Sequence, residues 1–183
     1  MSSIVFAFGR FQPPTIAHGM MFQLIKNYAA SENADYAIFV SKTHDKKKNP
    51  LTIDVKIEFL CEIFPGINFI ECNDTVRTPV EAAKFLNEKY KNLVFVAGGD
   101  RIDTLGSVIE KQNGVDYNYD SIELLSIGNR DPDSDGIEGV SGTAARKAAL
   151  DDNFAAFRKM IPDTMDDNRV KFLMEMISTN IPL

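Results

Sequence analysis

Thr15, His18 and Arg146 are the side chains with the most chemistry to offer. Thr15 and His18 stand three apart, so at the start of a helix they share one face. They close the stretch Gly9 to Gly19, GRFQPPTIAHG, in which a glycine and two prolines precede them. Gly9 lets the chain turn sharply and leaves room for a ligand. Pro13 and Pro14 suit a helix's first turn, where an N–H lacks an intrahelical partner anyway. A hydroxyl, an imidazole, free backbone N–H groups and the positive end of a helix dipole together make a phosphate site. A plainer reading is a turn whose histidine caps or packs. Near the other end of the chain, VSGTAAR (Val140 to Arg146) has the same character. Ser141 and Thr143 can cap a helix, Gly142 lets backbone approach a phosphate, and Arg146 one turn on can fork onto its oxygens. Its plainer reading is an ordinary capped helix with a surface arginine.

Three further stretches add candidates. SKTHDKKKNPLT carries Lys42, Lys46, Lys47 and Lys48. Lys46 to Lys48 read as a solvated loop, whereas Lys42 ends a strand and joins Thr15, His18 and Arg146 in the catalytic set. His44 reads as loop. AGGDR (Ala97 to Arg101) is a glycine turn opening a helix, so Gly98, Gly99, Asp100 and Arg101 are candidate binding residues. Asp100 can also serve as the cap. Arg10 and Phe11 join that set from the first stretch, and Arg130 from the end of a strand. DPDSDG (Asp131 to Gly136) begins like a calcium loop, but position twelve, which should be Glu, is Gly142. It is read as an acidic flap near the cleft rather than a metal site.

The elements that must hold these residues follow from hydrophobic period. SSIVFAF (Ser2 to Phe8), Asp35 to Lys42, Ile67 to Cys72, Asn92 to Asp100 and Ser121 to Asn129 are short apolar runs that predict strands. Between them lie helical periods. One follows Gly19. Another runs through Ile53, Ile57, Leu60 and Phe64, with Thr52 as its cap. A third opens at Thr78-Pro79, and a fourth closes on Gly114. A helix near Thr143 to Leu150 follows the second motif, and from about Asp151 two short helices broken at Pro162 are expected. Strands apolar throughout suggest burial on both faces. The expected fold is one α/β domain over residues 1–183, Rossmann-like, with a five-stranded parallel sheet. Gly9, Lys42, Gly98, Gly99 and Arg130 then fall at the strands' carboxyl ends, where such sheets bind ligands at the switch in strand order.

Composition narrows the partners. In 183 residues, 44% are hydrophobic and 25% charged, ordinary for a globular chain with a substantial core. A formal charge of −6 argues against nucleic acid as a partner. No apolar run reaches the ~20 residues of a membrane span, and the N-terminus lacks a signal-peptide pattern. Cys61 and Cys72 read as buried thiols in a reducing compartment, which places the chain in the cytoplasm. A homo-oligomer stays open.

GRFQPPTIAH resembles the first signature of the nucleotidylyltransferase superfamily, G-x-F-x-P-x-(H/T)-x-x-H, with Thr15 and His18 at its two last positions. Ala17 stands where many members have glycine. SGTAAR resembles the second signature, in the S-G-T-x-x-R form of archaeal-type nicotinamide mononucleotide adenylyltransferases. The two lie about 120 residues apart. NPLT and GGD resemble the N-P-(F/L)-T and G-x-D stretches of mononucleotide adenylyltransferases. Arg101 also resembles the phosphate contact of phosphopantetheine adenylyltransferase, and Arg130 the arginine ending the matching strand in the mononucleotide enzymes. The run from Arg130 to Thr143 is similar to small phage-encoded members. The resemblance implies ATP as substrate, magnesium carried on its phosphates, and a phosphomonoester acceptor, first of all nicotinamide mononucleotide. It implies that Ser141, Thr143 and Arg146 hold the β- and γ-phosphates. Phe11 or Tyr36 is the expected stacking partner for the acceptor's ring. Two other readings stand beside it: a cytidylyltransferase, since EGVSGT resembles E-G-I-S-T-T, and a nucleotide-binding module without catalysis.

Overall fold

The computed structural model describes residues 2–127 and 140–181. Arg130 and the acidic stretch Asp131 to Gly136 lie outside the described residues, as does the side chain of Asp100. Among the described residues, five strands form one sheet: β1 (Ser3–Gly9), β2 (Asp35–Val40), β3 (Phe69–Glu71), β4 (Asn92–Ala97) and β5 (Ser121–Ser126). Every pairing is parallel, and the order is β3-β2-β1-β4-β5. The expected α/β fold with a five-stranded parallel sheet is therefore observed. The chain winds outward from β1 to β3, then crosses back to β4, so the switch in direction falls between β1 and β4.

Alternation explains why β1 is apolar throughout. Ile4 and Phe6 point into a core with Phe39 and Phe95, while Val5 and Ala7 point into a second core with Ile38 and Val40. Helices cover both faces, so neither set can be polar. α1 (Ile16–Ser31), α2 (Ile53–Ile63) and α3 (Pro79–Asn87) follow the first three strands. Thr78 caps α3 by accepting from Glu81 N–H, whereas Thr52 stands at the start of α2 without a side-chain capping bond. After β4 the chain runs through α4 (Gly99–Arg101), a π-helical segment (Ile102–Gly106) and α5 (Ser107–Lys111).

Strands β2, β3 and β4 stop short of their expected limits, whereas β1 runs one residue further, to Gly9. Ser41 N–H still bonds Gly9 at 2.8 Å, but the Ser41 carbonyl turns to the Lys56 ammonium, so β2 ends at Val40 before Lys42. The C-terminal region also departs from two short helices. α6 (Gly142–Leu150) and α7 (Phe154–Arg158) are followed by α8 (Asp167–Asn180), which is 14 residues long. Asp166 caps α8 at Asn168 and Arg169, and Val170, Leu173, Met174 and Ile177 bury one stripe of it. These helices share a third core with Phe59 of α2. Arg169 pins them there, bonded to Glu58 and Glu62 with its guanidinium 4.7 Å from the Phe59 ring centre.

Cys72 is buried as expected, and burial pushes its thiol up to about 12; Cys61, by contrast, is exposed. Its place on the outer face of α2, away from the stripe formed by Ile53, Leu60 and Ile63, accounts for that. Among the described residues, no helix is long and apolar enough to cross a membrane.

Candidate functional site

A cleft of about 410 Å³ opens at the carboxyl ends of β1 and β4, on the switch point of the sheet. Phe8 and Gly9 contribute to its floor from β1, and Val96, Ala97 and Gly98 from the end of β4. Among the described residues, four cations line it: Arg10, Lys48, Arg101 and Arg146. None of the described lining residues is Asp or Glu, although the chain as a whole carries a charge of −6. Like charges gathered in one cleft repel one another, and a bound polyanion relieves that repulsion.

His18 enters this cleft with its ring orientation set from three sides. Thr15 N–H donates to His18 Nδ1 at 3.0 Å, and Thr15 Oγ1 lies 2.9 Å from the same nitrogen. Phe11 meets the imidazole edge-on at 5.1 Å between centroids, and Phe22 stacks at 6.4 Å. Because a backbone N–H can only donate, Nδ1 is the acceptor and the neutral ring carries its proton on Nε2. An Nε2–H is the form that can donate to a phosphate oxygen. Thr15 itself is fully buried and does not line the cleft. Its hydroxyl was expected on a phosphate; the structure places it behind His18. A residue starting a helix with extended backbone turns its side chain onto the third residue of that helix, here His18.

Gly9 and Phe11 form one packing unit. A Cβ on Gly9 would lie 2.3 Å from the Phe11 ring, so the missing side chain makes room for Phe11 rather than for a ligand. Phe11 adopts φ 49, a left-handed conformation that costs an aromatic residue about 1–3 kcal/mol and persists only where packing determines it. Its ring is 3% exposed and is not free to stack on an acceptor. Tyr36 is not available either. It lies toward the other end of β2, with its hydroxyl bonded to the Gly66 carbonyl.

The second motif supplies the opposite wall. Ser141 caps α6 by accepting from Ala144 N–H at 3.0 Å, and Gly142 and Thr143 face the cleft. Arg146 Nη2 donates to Thr143 Oγ1 at 3.1 Å and Nη1 to the Gln12 carbonyl at 2.6 Å, leaving other N–H groups of the guanidinium for a ligand. Burial and the neighbouring charge of Arg10 both hold Arg146 below the usual arginine range. Gly98 starts α4 and lines the cleft with Arg101, whereas Gly99, the first residue of α4, is not among the described lining residues.

Lys42 departs from its expected place. Its ammonium bonds Asp74 at 2.7 Å in solvent, and it does not line the cleft. Lys48, read from sequence as a solvated loop residue, does line it. The loop turns back because the Asp45 carboxylate accepts from the N–H groups of Lys47 and Lys48 and from the Asn49 side chain. Those bonds hold the Asp45 carboxyl well below the usual range. The signal for this turn is D-x-x-x-N, an Asx-type closure in plain view of the sequence. Lys48→Ala should weaken binding of a nucleoside triphosphate about tenfold, as removal of one charge-assisted hydrogen bond does. Lys42→Ala should change it by less than about twofold, since exposed ion pairs contribute little. Isothermal titration of both variants measures the difference, and the reverse order would return the role to Lys42.

Beneath the loop lies Lys56, fully buried, bonded to the Ser41 carbonyl and, at 3.5 Å, to that of Thr43. Burial is the main cause that brings its ammonium down to about 8, Cys72 opposing and Arg10 adding to the shift. Between about 8 and 10.5 the unfolded chain binds the proton that the folded chain has released, so Lys56 contributes stability that rises with pH in that window. Urea unfolding of wild type and Lys56→Met from pH 7 to 10.5 should show their difference shifting toward wild type above pH 8. Parallel profiles would mean that Lys56 stays charged.

Fold and site together define a doubly wound α/β protein with a cationic cleft at its switch point. Its fold is shared with solved structures of other proteins, a known adenylyltransferase among them. Plasmodium falciparum nicotinic acid mononucleotide adenylyltransferase in complex with NaAD superposes with a TM-score of 0.60 at 17% identity, over 96% of this chain and 98% of that one. The same enzyme complexed with APC gives 0.57 at 17% identity and the same coverage. Thermotoga maritima TmcAL bound to alpha-thio ATP gives 0.51 at 9% identity, over 94% of this chain and 55% of that one. No family model matches the sequence, and neither does any curated protein.

Proposed function

We propose that this chain is a nucleotidylyltransferase that moves AMP from ATP to a phosphomonoester, with a pyridine mononucleotide such as nicotinamide mononucleotide as first acceptor. The observation that carries the reading is the convergence of His18, Thr143, Arg146, Arg10 and Lys48 on one cleft whose described lining holds no carboxylate. The fold shared with nicotinic acid mononucleotide adenylyltransferase supports it. An oxygen of the acceptor's phosphate attacks the α-phosphorus of ATP; the bond from that phosphorus to the bridging oxygen breaks, and pyrophosphate leaves with its electron pair. The acceptor is already an anion, so no general base is needed, and positioning with charge stabilisation supplies the catalysis. His18 Nε2–H is the donor to the transferring phosphoryl group. Arg146, Thr143 and Lys48 stabilise the leaving pyrophosphate. Magnesium, carried in on ATP rather than held by a side chain of the cleft, would neutralise part of the triphosphate's charge.

Pyrophosphate release, screened with four nucleoside triphosphates and magnesium against a panel of phosphomonoesters, tests this reading. Signal with ATP and a pyridine mononucleotide, and a dinucleotide on chromatography, is the expected result. Product only from CTP and glycerol 3-phosphate would replace the adenylyl donor with a cytidylyl one. ATP binding without product from any pair would make the chain a nucleotide-binding module.

A further inference from the structure

Gln12 is 4% exposed, yet every polar group it owns that the structure pairs reaches across the cleft to a different part of the chain. Its side-chain Nε2 donates to the Leu51 carbonyl at 2.8 Å, and its Oε1 accepts from Leu51 N–H at 2.9 Å. This is the reciprocal pair that a neighbouring strand would make, formed here by one side chain. A longer bond of 3.4 Å runs from Nε2 to the Thr43 carbonyl. The amide thus clamps both ends of the loop that carries Lys48 and Asn49. On the other side, the Gln12 carbonyl accepts from Arg146 Nη1 at 2.6 Å. Helix α6 can come that close because residue 142 is glycine: a Cβ there would lie 3.1 Å from the same carbonyl oxygen.

We infer that Gln12 is a positioning residue: its amide sets the Lys48 loop, its carbonyl aims Arg146, and the two cationic arms are thereby held at one separation across the cleft. The inference rests on the proposed triphosphate reading for what those arms grip. Glutamine is the side chain that suits the place. Glutamate has the reach but no donor for the Leu51 carbonyl, methionine has neither donor nor acceptor, and asparagine is one methylene short. Displacing a positioned group by about 1 Å costs up to about a hundredfold in rate. A lysine loop released from its clamp is displaced in this sense.

The test is a double-mutant cycle on ATP affinity, read by calorimetry, with Gln12→Met, Lys48→Ala and the pair. Gln12→Met should weaken ATP about tenfold in the wild-type background and less than about threefold when Lys48 is already alanine, because the two act through one contact. Gln12→Asn, neutral like glutamine but one methylene short of Leu51, should weaken ATP as Gln12→Met does and serves if the methionine variant does not fold. Tyr90→Phe, which removes a hydroxyl bonded to Asp35 at the far end of the sheet, controls for lost stability. Equal losses with and without Lys48, or an affinity within twofold of wild type, would overturn the inference. If wild type binds no triphosphate, the reading of the cleft fails instead. Hydrogen exchange at the Leu51 amide then still decides Gln12: protection should be lost in Gln12→Met and kept in Tyr90→Phe, and unchanged protection would overturn the clamp.

Discussion

His18→Ala should lower turnover by about 10²–10³-fold, the usual loss when one preorganised donor to developing charge is removed. The argument begins with the tautomer. Thr15 N–H occupies Nδ1, so Nε2 carries the proton, and Phe11 and Phe22 keep the ring from turning. A donor fixed before the reaction needs no reorganisation as charge moves onto the phosphoryl oxygens. Alanine also leaves the buried Thr15 N–H without its acceptor, which costs about 1–3 kcal/mol and lowers Tm by several degrees. His18→Asn separates the two effects. Its side-chain oxygen can accept from Thr15 N–H, so much of the stability should return, while the donor at the Nε2 position does not. Steady-state rates and thermal melts on both variants check this. A variant that melts early but turns over normally would show that the imidazole is there for packing alone.

Arg146→Ala should weaken triphosphate binding by about 2–5 kcal/mol, the range for truncating one partner of a buried, hydrogen-bonded charge pair, with acceptor binding nearly unchanged. Arg146 is half-buried, and both burial and the charge of Arg10 work against it before any ligand arrives. Bound phosphate relieves that repulsion, so the guanidinium contributes more here than on an open surface. Lysine should not rescue the loss. One ammonium cannot hold the Gln12 carbonyl and Thr143 Oγ1 and still present a planar fork to two phosphate oxygens. Separate calorimetric titrations with ATP and with mononucleotide are the measurement. Equal weakening of both ligands would place Arg146 between the two sites or make it structural.

Taken alone, the sequence determined those features that depend on neighbours along the chain. Strand β1 was legible because a run buried on both faces must be apolar throughout, and the helices because caps, prolines and the 3.6-residue period are local signals. The two glycine-containing motifs marked where strands hand over to helices, and a parallel sheet puts those turns at one edge. Only the tertiary structure decided which groups meet there. Thr15 turns inward to His18 because a helix-starting residue in extended conformation has that direction, a property of φ and ψ that residue type does not disclose. Gly9 is small on account of Phe11, two residues on but folded back over it. Lys42 and Lys48 are chemically alike and six positions apart, and Asp74 and Asp45, reached through separate turns, send one to solvent and the other to the cleft. Gln12 carries no local signal at all. Its partners lie 31, 39 and 134 residues away, and such a clamp exists only once the sheet has brought those segments together.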